Sequence, residues 1–458
     1  MPAPAPSLAA TGAARPKRGA ARAALVPGEK PFRLKRRVFP AAAFWVMAFM
    51  AFSPSLSRAL TLEQALSEAL ATHPQVKAAE EDLRARKALE RSSLSPYAPS
   101  LDLTGSVDRI SRGSIDDRRD QSSLGAEYLL FDGGARFSDR SAARIQLARA
   151  QEALRAARLD VIRDVSVAFF LVLARTRIVA ERTLQVEDAR KDLEIAEGRY
   201  RLGVAMKSDV LQASVRYEEA LFEKNSAEGD LSTAQATLRS LVGRPLDSAH
   251  EAEGSLEILG SLKDRERLLA LAEERPEVLQ ARMDAALAEA QLQKTRSPFL
   301  PKVTADAAYT TNDGTGYFGD INDEKRVGVT ASWNLFRLDK FYNRKAAMAQ
   351  LQAAKDRLAE AVRQARLECF NRYDRALTAR RNVDLARSVL VQAEHNYRQA
   401  LGEYRVGKGD VLSLVRAESA LGAARVRLQE SLGNWNVTLA ELQRAAGLER
   451  LDELLKTE

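Results

Sequence analysis

Ser95-Pro96-Tyr97-Ala98-Pro99 returns as Ser297-Pro298-Phe299-Leu300-Pro301, at a distance of 202 residues. Upstream, His73-Pro74-Gln75-Val76 returns as Arg275-Pro276-Glu277-Val278, again at 202. Downstream, Leu130-Phe131 answers to Leu335-Phe336 at 205, and Tyr200-Arg201-Leu202-Gly203 to Tyr404-Arg405-Val406-Gly407 at 204. So steady an offset means that one unit is used twice, and a repeat of this period must be read before any local signal.

Each copy predicts helix, strand, strand, long helix, helix. In the first, Thr61 and Gln64 form a capping box that opens a helix over residues 61–94. The prolines at 96 and 99 end it, because proline has no N–H to give and disfavours helix before it. Leu101, Leu103, Gly105 and Val107 then alternate, as do Leu124, Ala126, Tyr128 and Leu130. Such alternation predicts strands with one apolar face. A polar loop carrying Asp116, Asp117, Arg118, Arg119 and Asp120 is expected between them. The second copy alternates at Val303, Ala305, Ala307 and Tyr309, then at Val327, Val329, Ala331, Trp333 and Leu335, around a Gly/Asn/Asp loop over residues 312–323. Strands of about ten residues suit a membrane-spanning β-strand.

The long helices carry an a/d seam. Ala143, Leu147, Ala150, Leu154, Ala157 and Val161 step by four and three, and Ala347, Leu351, Ala354, Leu358, Ala361 and Ala365 repeat the steps. Residues 134–201 and 337–405 would each make ~100 Å of helix at 1.5 Å per residue. The shorter helices, residues 61–94 with 209–242 and 264–296 with 410–446, add up in pairs to the same length. The balance predicts a helical cylinder in which one continuous helix lies beside two stacked ones. Four strands are too few for a membrane barrel, which needs about eight. An open edge in lipid leaves backbone groups unpaired at several kcal/mol each, so at least two chains must share one barrel.

The basic balance is local. The chain carries +8, but residues 1–59 hold seven Arg and three Lys against Glu29 alone, which leaves the remainder at −1. Nucleic-acid binding loses its usual footing. Lys35, Arg36 and Arg37, the apolar run from Val38 to Phe52, and Ser57-Arg58-Ala59 predict an export signal cleaved after Ala59. The alternative is an uncleaved anchor, for which the run is short against the ~20 residues of a span. Residues 1–34 read as either a disordered leader or an early start. The expected division is signal and basic leader 1–59, first repeat 60–243, linker 244–263, second repeat 264–447 and tail 448–458.

In order and duplication, these motifs resemble the TolC-like outer membrane efflux family over residues 60–447. The resemblance rests on LTLEQALSEALATHPQV, SLSPYAPSLDL, RSPFLPKVTAD, LLFDGG, WNLF, YRLGVAMKSDVLQA and YRVGKGDVLSLVRAE. It implies a homotrimer: a twelve-stranded barrel in outer-membrane lipid, continuous with a coiled-coil α-barrel through the periplasm. Residues 241–263 and the tail would form a belt around the middle. The tips at Tyr200, Arg201, Leu202, Gly203 and Tyr404, Arg405, Val406, Gly407 would receive a periplasmic adaptor, with an inner-membrane transporter supplying substrate. Asp209, Asp410, Ser413 and Arg416 are the candidates for an entrance constriction. Relatives place acidic residues where this chain has Ser413 and Arg416, so the usual acidic ring is not reproduced.

Other signals are decoys. Gly402 to Gly409 nearly spells a phosphate loop, but Gly409 stands where Ser or Thr should hold magnesium, and a helix precedes it instead of a strand. His73, His250 and His395 lack metal-ligand spacing, and Cys369 is the single cysteine. No nucleophile and base are paired, so neither enzyme activity nor any cofactor is expected. The competing reading is a soluble periplasmic coiled-coil adaptor or spacer, which accounts for the helices but not for the two inserted strand pairs.

Overall fold

The computed structural model describes residues 60–112, 115–247, 252–257, 260–314 and 323–455. The first repeat contains α1 (Leu62–Thr72), α2 (Pro74–Ser92), β1 (Ser100–Arg112), β2 (Ile115–Phe131), α3 (Ala135–Arg201) and α4 (Lys207–Val242). The second answers element for element with α5 (Arg265–Ala272), α6 (Pro276–Lys294), β3 (Lys302–Gly314), β4 (Asp323–Ser332), α7 (Leu338–Arg405) and α8 (Val411–Ala445). The long helices α3 and α7 span 67 and 68 residues.

The opening helix of each repeat is two helices, not one. The capping box forms as expected, with Thr61 Oγ1 accepting the Gln64 amide and Gln64 Oε1 accepting the Thr61 amide, both at 3.3 Å. The helix then breaks at His73, whose ψ of 127° is extended. Pro74 excludes helical geometry at the residue before it, and α2 starts afresh with proline in its first turn. His73 is the cap of this second start, its Nδ1 accepting the Gln75 amide at 3.3 Å. Arg275-Pro276 divides α5 from α6 in the same way. His395 is exposed, and His250 lies outside the described residues.

The four strands form one antiparallel sheet in the order β1-β2-β3-β4, so β1 and β4 are its edges. Register aligns Leu103 with Leu124, Leu124 with Tyr309, and Ala307 with Val327. One face therefore carries Leu101, Leu103, Val107, Leu124, Tyr128, Val327 and Val329. All are exposed in the single chain, Val327 at 86%. The other face is polar, with Ser123 against Thr310 at 3.0 Å and Thr330 donating to Asp306 at 3.3 Å. Three strands exceed the expected ten residues, β2 reaching 17. The backbone of Asp116 to Asp120 belongs to β2, paired with residues 107–111 of β1, and is not a loop. Likewise Asn312 to Gly314 end β3 and Asp323 begins β4, while residues 315–322 lie outside the described residues.

Beside the sheet the helices lie in the lateral order α2-α3-α6-α7, and in the other half α4-α3-α8-α7. Thus α3 and α7 run through both halves while shorter helices stack alongside. The main apolar core sits at their middle, around Phe169, Phe170, Leu173, Leu268, Trp435 and Leu439. The segment after α4 and the C-terminal tail join it there: Leu60 bridges Ala252, Leu262 bridges Leu455, and Leu256 and Leu454 are buried. Asn436 Nδ2 holds the Leu256 carbonyl at 2.7 Å. Of the seam, Leu154, Ala157, Val161, Ala347, Ala354 and Ala365 are buried, the small alanines allowing close approach. Cys369 is buried too, and desolvation pushes its thiol up to about 11, so it is an inert packing residue.

Candidate functional site at the helical tips

Both full-length helices end in the same way. Gly203 has φ +72° and Gly407 φ +78°, a conformation that L side chains adopt only at a cost. Gly203 N–H returns to the Tyr200 carbonyl at 2.9 Å and Val204 N–H to Arg199 at 3.0 Å. Gly407 N–H returns to Tyr404 at 3.1 Å and Lys408 N–H to Glu403 at 2.9 Å. Each pair is a Schellman motif, which satisfies the last carbonyls of the helix and turns the chain. The amides of Lys408 and Gly409 both bond the Glu403 carbonyl, so they are not free to cradle a phosphate.

The residues expected at the tips are brought together in part. Tyr200, Leu202 and Val406 are exposed apolar groups, Leu202 at 79%, and they are joined by exposed Val204 and Met206. Arg201 and Arg405 end their helices in solvent, where cations favour the negative dipole end. Tyr404 differs from its counterpart Tyr200: it is buried at 2% exposure. Burial pushes its phenol above the ordinary value, and its hydroxyl has no hydrogen-bond partner among the described residues.

The residue linking the two tips is Arg199. Its guanidinium donates to the Tyr404 carbonyl and lies 4.6 Å from the centre of the Tyr404 ring. It also donates to the Val204 carbonyl at 3.5 Å.

The four constriction candidates lie at the starts of α4 and α8, Asp209 and Ser413 in the first turns, Asp410 at the N-cap and Arg416 in the second turn of α8. Asp209 accepts the Met206 amide at 3.3 Å. Asp410 caps α8, accepting the Ser413 amide at 2.6 Å, a bond that holds its carboxyl below the ordinary range. Ser413 and Arg416 are exposed on the same helix.

Above the tips, a charged cluster crosses three helices, α3, α4 and α8. Arg216 of α4 donates to Glu418 of α8 at 2.5 Å, with side chains 8% and 3% exposed. Although burial opposes its charge, the bond to Glu418 keeps the Arg216 guanidinium above its ordinary value. Glu223 pairs with Arg182 at 2.5 Å, and Asp188 with Arg425 at 3.0 Å. Among the described residues no group of three or more His, Cys, Asp or Glu side chains is placed to hold a metal, and none of the helices is long and apolar enough to cross a membrane.

Known proteins share the architecture. The chain is 27% identical to Protein CyaE of Bordetella pertussis over 379 residues, 80% of each chain. It is 22% identical to outer membrane protein TolC of Escherichia coli over 433 residues, 88% of this chain and 85% of that one. It is 26% identical to the pyoverdine export outer membrane protein OpmQ of Pseudomonas aeruginosa over 68% of each. In fold it is similar to the outer membrane protein VceC of Vibrio cholerae, with a TM-score of 0.74 at 20% identity, covering 84% of this chain and 96% of that one. It is also similar to CusC, with a TM-score of 0.76 at 17% identity, covering 84% and 92%. The family model for outer membrane efflux proteins matches twice, at residues 65–244 and 269–448, once per repeat. The chain belongs to the outer membrane efflux protein family, whose members are channels and not enzymes, and its sheet is the part placed in the outer membrane, with the helices extending into the periplasm.

Proposed function

We propose that this chain is the exit duct of a tripartite efflux or type I secretion system, assembled as a homotrimer. In that system a periplasmic adaptor docks at the tips and an inner-membrane transporter feeds the tunnel. The observation that carries this reading is the four-stranded sheet with two unpaired edges and one exposed apolar face, joined directly to 67 residues of helix. Lipid suits the apolar face, and further copies suit the edges. The soluble-adaptor reading leaves that face without an occupant. Membrane fractionation decides between them, since recovery wholly in the soluble periplasmic fraction would exclude the duct.

The helical half has the same two open sides. Its α4 exposes Leu211, Val215 and Phe222, and its α7 exposes Leu385 and Val389. We assign these stripes to each other across neighbouring copies. Native mass spectrometry should then give three copies. Phe222→Glu together with Val215→Glu should lower trimer yield several-fold, because charges enter an apolar seam. A wild-type monomer retaining full β content would contradict the assembly.

The entrance constriction falls, on this reading, to Arg416 and Ser413, since Asp209 and Asp410 are engaged in capping their helices. Three Arg416 guanidinium groups around one opening favour anions, as rings of basic side chains do in pores. Reversal potentials of single channels in a salt gradient test this. Arg416→Asp is expected to raise the cation-to-anion permeability ratio several-fold. An unchanged ratio would remove Arg416 from the constriction.

A further inference from the structure

Asp192 lies on α3, about 15 Å before its C-terminal cap at 1.5 Å per residue. Its carboxyl is 5% exposed and has no cation within ion-pair distance among the described residues. Its one hydrogen-bonding partner is Tyr397 of α7, whose hydroxyl donates to the two carboxylate oxygens at 3.4 and 3.5 Å. Tyr397 also packs against both small apolar clusters near the tips, one around Leu421 and Ala424, the other around Tyr404, Val411 and Leu414. The Asp192–Tyr397 contact therefore ties α3 to the apolar packing between α7 and α8.

The surrounding charges are unfavourable to an anion. On its own helix Asp188 repels it, and Asp188 is itself paired to Arg425 of α8 and to Lys191. Facing it from α8 is Glu418, which repels it, and the Arg216 guanidinium of α4 is paired with Glu418 and so does not serve Asp192 as a cation. Arg216 is shared further with Glu219 and Glu223 of α4. On α7, Arg405 acts in the opposite sense, more weakly than burial, Glu418 and Asp188.

We propose that Asp192 is a proton-controlled latch on the periplasmic entrance. Protonated, it sits neutral against Tyr397 and keeps α3 packed with α7 and α8; ionised, it draws water into the contact and loosens the α7–α8 end from α3. Burial first, and Glu418 next, push its carboxyl up to about 7. The packed arrangement thus holds a proton that a loosened one releases. Packing is favoured in full below the ordinary carboxylate value of 3.8 and is given up as pH climbs through about 7. The ionised fraction goes from about a tenth to about nine-tenths across two pH units around the midpoint. The latch rests on the reading of the tips as the entrance of a duct.

The test is single-channel conductance of purified trimers in planar bilayers, from about pH 5.5 to about pH 8.5. Conductance of the wild type is expected to rise severalfold with a midpoint near 7. Asp192→Asn, neutral at every pH and still able to accept from Tyr397, should stay in the low-conducting state throughout. Asp188→Asn removes one opposing charge and should move the midpoint toward acid by roughly half a unit. Infrared difference spectra of the same trimers should show a protonated carboxyl stretch that titrates with the conductance and is missing from Asp192→Asn. Pores whose conductance stays flat, or an Asp192→Asn trimer with the wild-type midpoint, overturn the latch and leave the duct standing. Absence of pores at every pH, for every variant, overturns the duct reading and the latch with it.

Discussion

Trimers carrying Gly203→Trp or Gly407→Trp are expected to reach the membrane, assemble, and lose retention of the periplasmic adaptor by roughly tenfold or more, about 1.4 kcal/mol of binding. The motive is structural. Both glycines sit at positive φ, at the ends of the helices farthest from the sheet. Around them Leu202, Val204, Met206 and Val406 form an exposed apolar surface. A Cβ at Gly203 would meet nothing within 4 Å, so the added bulk has room, and the cost to the fold is the backbone strain that any L side chain pays at this φ. At Gly407 the Arg199 guanidinium lies 3.7 Å from that position, and a bulky side chain there also displaces Arg199 from Tyr404. The barrel lies ~100 Å away along α3 and should be unaffected. Alanine at each glycine is the control, because it adds backbone strain of about 1–2 kcal/mol without bulk. If the glycines only cap helices, Ala and Trp should lower stability or trimer yield alike, with no selective docking defect. Adaptor pull-down at wild-type levels by both Trp trimers would end the docking assignment.

The fold was legible because two periodicities, seven and two, are each written twice along the chain. The ends of the long helices fell within a residue of expectation, since glycine or a helix-breaking loop follows each. The breaks at Pro74 and Pro276 were visible as prolines but were passed over, because the apolar spacing runs on through them. Polarity alone predicts a loop at Asp116 to Asp120. A strand that continues beyond an apolar band no longer needs alternation, and only its pairing with β1 reveals it. At the tips, Gly203 and Gly407 were marked by their motif, yet Arg199 was not. Its partner Tyr404 is 205 residues away, and the pairing exists only once α3 and α7 lie side by side. The cluster above the tips was missed for a different reason. Charged residues on coiled-coil helices normally face water, and Arg216 and Glu418 read as such. They are 202 residues apart, two short of the offset of 204 that relates α4 to α8, so the repeat does not align them and only the packing of α4 near α8 brings them together.

That pair sets the second expectation. Arg216→Leu should destabilise the helical part by about 3–5 kcal/mol, the cost of leaving one member of a buried ion pair without its partner. Glu418 is 3% exposed as a side chain and would keep its charge in a dry site, or take up a proton to lose it. Exposed pairs in the same molecule, such as Arg84 with Glu81 at 70% and 67% exposure, contribute little by comparison, since water screens them. Arg216 also reaches Glu219 at 3.5 Å and Glu223 at 4.0 Å, so its removal loosens α4 as well as the contact with α8. The double variant Arg216→Leu with Glu418→Leu should recover most of the loss, because two apolar side chains of similar reach can fill the space that two charges occupied. Unfolding of the detergent-solubilised trimer, followed by the helical circular-dichroism signal, measures both. A single variant within about 0.5 kcal/mol of wild type would mean that the pair is hydrated in the assembled channel. A double variant no better than the single one would mean that the site needs charge rather than volume. In that case the electrostatics of the cluster, through Arg182 with Glu223 and Arg425 with Asp188, hold α4 and α8 against α3.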